Sequence, residues 1–178
     1  LSLFVIDEVD QVYSTGQSEE VKQLRKEIHG VQTICLSATK NDTIQTYFDT
    51  PFEEVLQGSV AVNEKIRSYY LETEDKKTSL LSLLQSLPIT SAIVFVNHRS
   101  TAIELSDLLL RNHILSSAFS GYFDERKRIA IMSDFRKGDI RVLVATDAAA
   151  RGLDIHELSH VIHYDIPIDT ETFIHRSG

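Results

Sequence analysis

Asp7, Glu8 and Asp10 stand in an Asp-Glu-Val-Asp stretch directly after the apolar run Leu3-Phe4-Val5-Ile6. Much further along, Ala145-Thr146-Asp147-Ala148-Ala149-Ala150-Arg151-Gly152-Leu153-Asp154 follows Val142-Leu143-Val144 in the same way. A short buried strand that ends in acids presents carboxylates at the carboxyl edge of a sheet, as α/β nucleotide-binding folds do. Adjacent strand residues point to opposite faces, but where the backbone turns both carboxylates can reach one site. Mg²⁺ takes one or two carboxylates plus phosphate oxygens and keeps most of its waters. One carboxylate on the metal and another orienting an attacking water make a hydrolytic pair. Alone, the tetrad does not separate this chemistry from a solvated acidic turn. A protease-recognition reading of Asp-Glu-Val-Asp needs an extended, exposed peptide, not one anchored to an apolar strand. Ser37-Ala38-Thr39, after Thr33-Ile34-Cys35-Leu36, places hydroxyls that can hydrogen-bond a neighbouring carboxylate. Taken alone, they read first as a helix cap, with Asn41 and Asp42 competing for that role.

Strands are expected at Leu3–Ile6, Thr33–Leu36, Ala92–Val96, Arg141–Ala145 and His160–Tyr164, each short, apolar and rich in β-branched residues. Helices are expected over Ser18–Ile28, Asp75–Leu87, Ser100–Leu110 and Asp124–Phe135, where apolar residues recur at spacings of three and four. Ser100 and Asp124 read as N-caps and Gly138 as a helix stop. Strands alternating with helices imply parallel sheets and an α/β fold. Periodicity is weakest at Gln57–Lys65, so the expected organisation is a first part over 1–57, a linker over 58–65 and a larger second part over 66–178.

The 178 residues suffice for one large or two small domains, with 42% hydrophobic and 25% charged residues, ordinary for a globular chain. No apolar run approaches the roughly 20 residues that span a bilayer. The single cysteine, Cys35, excludes an internal disulfide and reads as a packed strand position. It fits an intracellular, reducing compartment, the cytoplasm first, with nucleus or organelle open. The net charge of -8 argues only weakly against nucleic acid, because phosphate binding needs local positive charge. The chain begins on Leu1 within an apparent strand and ends on Gly178. It reads as a fragment, for which a missing targeting peptide carries no information.

Taken together, the motifs resemble the DEAD-box family of ATP-dependent RNA helicases. Asp7–Asp10 is similar to its Walker B motif, with Val where the family name has Ala, and Ser37–Thr39 to its Ser-Ala-Thr motif. Ala92–Asn97 resembles the strand that opens the second lobe, and Phe119-Ser120-Gly121, Arg128 and Phe135–Gly138 the stretch that follows. Val144–Ile155 is a near-complete match to the fifth motif, and His175–Gly178 is similar to the start of the sixth. The resemblance covers nearly the whole chain. It implies two RecA-like lobes, parallel sheets flanked by helices with the first lobe truncated, closing over ATP and clamping single-stranded RNA. It implies that Asp7 and Glu8 handle Mg²⁺ and the attacking water, with Asp10 completing the catalytic set. Gly152 and Asp154 would join them at the ATP, with Asp154 at the ribose. Ser37, Thr39 and His175 would couple the lobes, together with Asp10. Gly121, Arg128, Thr146 and Arg151 would face RNA, gripped through its backbone.

The pattern also has departures. No Gly-x-x-x-x-Gly-Lys-[Ser/Thr] phosphate loop occurs, and the arginine fingers of the sixth motif would fall after Gly178; Arg176 is not one of them. Ser120 stands where the family usually has His, and Glu125 where it usually has Gln. His156-Glu157-Leu158-Ser159-His160 matches the zinc-protease signature, but that chemistry needs a helix and a third ligand, and this context is strand-like. Tyr69 and Tyr70 read as alternating faces of a strand, with base stacking as the alternative. A non-catalytic RNA-binding or scaffolding protein with the same lobes is the competing function; the intact Asp7-Glu8 pair speaks against it.

Overall fold

The computed structural model describes residues 2–14, 16–37, 66–150, 153, 155 and 158–177. The chain divides into two compact units, Leu1–Lys65 and Ile66–Gly178. The expected linker, 58–65, lies outside the described residues.

In the first unit, β1 (Leu3–Ile6) leads into α1 (Val9–Ser14) and α2 (Ser18–Glu27), and β2 (Gln32–Cys35) returns parallel to β1. The register pairs Ile6 with Cys35. Ile6 and Val9 are buried, with Phe4, Val12, Val21 and Cys35 packed around them. Leu3, Val5 and Ile34, on the other pleat face, are exposed. Parallel strands are normally covered on both faces, so this pair shows one covered and one open face. The apolar stripe of α2 is only partly covered: Val21 packs on the Ile6–Val9 cluster, but Leu24 is exposed and no α2 residue is fully buried.

The second unit is built from α3 (Lys76–Ser86), β3 (Ala92–Phe95), α4 (Arg99–Arg111), β4 (Ser116–Phe119), α5 (Glu125–Lys137), β5 (Val142–Ala145), α6 (Asp147–Ala150), β6 (His160–His163) and α7 (Thr170–Ser177). Its four strands are parallel in the order β4-β5-β3-β6. The central strands β3 and β5 are buried at every position. Strand alternation sorts their side chains into two cores. Ala92, Val94, Val142 and Val144 pack with Leu80 and Leu84 of α3 and Leu105 and Leu109 of α4. Ile93, Phe95, Leu143 and Ala145 pack with Ile131, Met132 and Phe135 of α5 and Ala149 of α6. A strand with two apolar faces demands helices on both sides, and the sequence supplies them.

The helix ends follow local chemistry. Asp75 caps α3, accepting from the N–H groups of Lys77 and Thr78 at 3.0 and 3.2 Å. Arg141 closes the far end of α3 by donating to the carbonyls of Leu84 and Ile89, where a cation suits the helix terminus. Asp124 caps α5 through the Lys127 N–H at 2.7 Å, and Gly138 ends it with φ 84, a left-handed conformation that glycine adopts without steric cost. Ser100 does not cap α4. The cap position is His98, and Ser100 falls within the first turn because Asn97 and His98 already leave the strand. The expected strand at Tyr69 and Tyr70 is absent as well: residues 66–73 have no regular structure and both rings are exposed.

Candidate functional site

In the first unit the acids sit where β1 ends. Asp7 and Glu8 are exposed, and Asp7 Oδ1 accepts the Glu8 N–H at 2.9 Å. Glu8 has φ 48, the left-handed region that a non-glycine residue occupies at a cost of about 1–2 kcal/mol. That turn delivers the chain into α1, and Asp10 is buried in its first turn at 1% exposure. The edges of the two strands are stitched together: the Leu36 N–H donates to the Ile6 carbonyl at 2.8 Å and the Val9 N–H to the Leu36 carbonyl at 3.0 Å. Ser37 is therefore held at the same carboxyl edge as Asp7 and Glu8. Thr39 lies outside the described residues.

In the second unit, polar residues gather at the carboxyl ends of all four strands: Asn97 after β3, Ser120 and Gly121 after β4, Thr146 and Asp147 after β5, and Asp165 after β6. Thr146 is half-buried, and its carbonyl accepts the Ala149 and Ala150 N–H groups that start α6. Gly121 is exposed. Arg128 lies over the Phe119 ring at 5.4 Å, and its Nη1 is 3.4 Å from Glu125 Oε2. The acid that replaces the expected Gln thus takes up part of the Arg128 guanidinium. Its Nε is enclosed without a hydrogen-bond partner among the described residues. His175 is half-buried on α7. Arg151, Gly152 and Asp154 lie outside the described residues, as do His156 and Glu157 of the zinc-like string; His160 of that string opens strand β6.

Arg176, which sequence reasoning left without a role, fastens these strand ends together. It is 5% exposed. Its Nε and Nη2 hold Asp147 Oδ1 and Oδ2 at 2.5 and 2.8 Å, and its Nη1 donates to the Asp165 carbonyl at 2.7 Å. Nη2 also reaches Asn97 Oδ1 at 3.4 Å, and the guanidinium lies 5.0 Å from the Phe95 ring centroid. Asp165 in turn accepts the Asn97 N–H at 3.0 Å and pairs with Lys76 at 3.1 Å. A bidentate Arg–carboxylate pair is rigid as well as strong, so α7 and its His175 are fixed to the strand edge. The sequence signal was an Arg and an Asp each beside a strand-edge motif, 29 residues apart.

His163 lies beside this pair, its ring stacked between Phe95 and Phe173 at centroid distances of 6.2 and 5.1 Å. Burial, reinforced by the Arg176 charge and partly offset by Asp147, holds the imidazole below its ordinary value of 6.5. Below about pH 6.5 the unfolded chain binds a proton that the folded chain still refuses. Stability is therefore full above that point and falls as the pH drops toward the lowered folded value. Urea midpoints should decline as the pH falls through about 6.5, and His163→Phe should flatten that decline.

A parallel sheet covered by helices on both faces, with its polar residues at the carboxyl ends of the strands, is a RecA-like architecture. The helicase conserved C-terminal domain matches residues 75–178. An ATP-dependent RNA helicase DeaD of Mycobacterium tuberculosis is 34% identical over all of this chain and 32% of its own length. An ATP-dependent RNA helicase eIF4A of Phaeosphaeria nodorum is 35% identical over all of this chain and 47% of its own. The structure of S. cerevisiae Dbp5 bound to RNA and ADP BeF3 is similar with a TM-score of 0.88 and 28% identity, covering 99% of this chain and 49% of that one. The chain belongs to the helicase conserved C-terminal domain family, and its relatives there are DEAD-box RNA helicases. It spans 32% to 49% of the length of these relatives. No helix among the described residues is long and apolar enough to cross a membrane.

Proposed function

We infer that this chain supplies the hydrolytic edge and the RNA-facing lobe of an ATP-dependent RNA helicase, in which ATP binding and hydrolysis drive RNA clamping and local duplex opening. The observation that carries the reading is the gathering of motif residues at carboxyl strand ends in both units: Asp7, Glu8 and Ser37 in one, Gly121, Thr146 and Asp147 in the other. An intracellular, cytoplasmic setting goes with this function.

The residues at the first edge fit Mg²⁺. Asp7 and Glu8 are exposed hard-oxygen donors on one turn, and Asp7 spends only Oδ1 on the Glu8 N–H. Two carboxylates suffice, since the remaining ligands are waters and phosphate oxygens. When bound, the ion neutralises charge on the phosphate oxygens. Asp7 would hold it with Glu8 beside it, and Glu8 would orient the attacking water and accept its proton. On this reading Asp10, Ser37, Thr39 and His175 would couple the lobes, and Gly152 and Asp154 would serve the nucleotide, Asp154 at its ribose. Gly121, Arg128, Thr146 and Arg151 grip the RNA sugar-phosphate backbone, which makes binding sequence-tolerant.

The 178 residues contain no phosphate loop. The chain alone should therefore release phosphate from ATP at background rate, with or without RNA. Fused between the phosphate-loop segment and the arginine-finger segment of a DEAD-box relative, it should show RNA-stimulated turnover. Stimulated turnover by the chain alone would place the phosphate cradle within it; a folded fusion that binds ATP and RNA but never hydrolyses would favour the non-catalytic alternative.

A further inference from the structure

Three cation–aromatic pairs meet around the loop that follows β4. The Arg99 guanidinium lies 4.8 Å from the Tyr122 ring centroid, Lys127 Nζ 3.8 Å from that of Phe123, and the Arg128 guanidinium 5.4 Å from that of Phe119. Phe119 is buried and Phe123 half-buried, so both are accounted for by packing. Tyr122 is 82% exposed. It is not a loose residue. Buried Ser120 accepts the Tyr122 N–H on its Oγ at 3.3 Å and the Phe123 N–H on its carbonyl at 3.1 Å. This turn lifts the ring out of the sheet edge, and Ser120 stands here in place of the usual family His.

One face of the ring is backed by Arg99, and the high exposure leaves the other face in water. The nearby acids are already engaged: Asp124 caps α5, and Glu125 pairs with Arg128. Set against Asp124 and Glu125, the four cations Arg99, Arg126, Lys127 and Arg128 leave the loop a positive excess within a chain of net charge -8. An apolar protein partner would have to strip water from those cations. A single-stranded polyanion whose bases stack satisfies both the open ring and the cations. The loop lies at the carboxyl edge of the sheet, beside Thr146, where ligands of open α/β sheets bind.

We propose that Tyr122 is a stacking platform for a base of single-stranded RNA, with Arg99 backing the ring and Lys127 beside the adjoining phosphate. This rests on the RNA-binding function above but differs in kind, since the contacts assigned there go to the backbone and ignore the base.

The test is fluorescence anisotropy with the full chain at low salt. The probes are a labelled oligouridine of about ten nucleotides and an abasic oligomer of the same length. Tyr122→Ala should weaken oligouridine binding roughly fivefold or more, while Tyr122→Phe stays within about twofold because the ring persists. The wild type should lose a similar factor on the abasic oligomer, and Tyr122→Ala should lose nothing further there. Tyr122 is exposed, so the fold is unaffected by its removal. Equal binding by wild type and Tyr122→Ala, or an equal loss by Tyr122→Ala on both probes, overturns the platform and leaves RNA binding standing. Failure of the wild type to bind either oligomer overturns both.

Discussion

Glu8→Gln should lower RNA-stimulated ATP turnover by about 10²–10⁴-fold in the fused enzyme, while the affinities for ATP and RNA stay close to wild type. The amide keeps the size and hydrogen-bonding reach of the side chain but cannot take a proton from water. The left-handed turn at Glu8 concerns its backbone, which the substitution leaves alone. The side chain is exposed, so thermal stability should not move. A fall in kcat with KM unchanged is the signature of an interaction made in the transition state. Asp7→Asn should act differently, raising the Mg²⁺ concentration needed for turnover. If Glu8→Gln retains more than about a tenth of wild-type kcat, Glu8 is not the proton acceptor.

Arg176→Ala should destabilise the second unit by about 3–5 kcal/mol, the cost of stranding one member of a buried ion pair. The Arg176 side chain is 2% exposed against 33% for Asp147, so the stranded charge itself costs more in Asp147→Asn, which leaves the buried guanidinium without its counter-ion, than in Arg176→Ala, which leaves a carboxylate that water can reach. Removing Arg176 frees Asp147, the Asp165 carbonyl and the face of Phe95 at once. Urea unfolding of the single and double variants gives the coupling between the two residues. Arg176→Lys should recover only part of the loss, because an ammonium cannot hold both carboxylate oxygens in the planar fork. A loss below about 1 kcal/mol for Arg176→Ala would mean that the pair is a surface contact, not a fastening.

The strands that bury both faces were legible. Ala92–Phe95 and Val142–Ala145 are unbroken apolar runs, and the helices between them carry clean apolar spacing. β4 was not legible, because Ser116-Ser117-Ala118 has no apolar alternation; buried Ser116 satisfies its hydroxyl by donating to the Ser106 carbonyl at 2.9 Å. α1 and α6 are too short for a periodic signal, and α7 is set by the Asp169 cap and the Arg176 anchor, neither of which a spacing rule detects. At the site, the carboxylates were legible because strand ends and acids adjoin in sequence. The roles of Arg176 and Tyr122 were not, since each depends on a partner distant in the chain, Asp147 and Arg99. Ser120 and Glu125 were visible as departures, but only the fold gives them work: one shapes the Tyr122 turn, the other ties down Arg128.

The RNA-facing assignment of the carboxyl edge in the second unit is tested most directly by ultraviolet crosslinking of the chain to oligouridine, with the adducts located by mass spectrometry. The account predicts adducts in peptides spanning Gly121–Arg128 and Thr146, with Tyr122 among them. Adducts confined to the opposite edge of the sheet, near Ser91, Arg141 and Ser159, would contradict it.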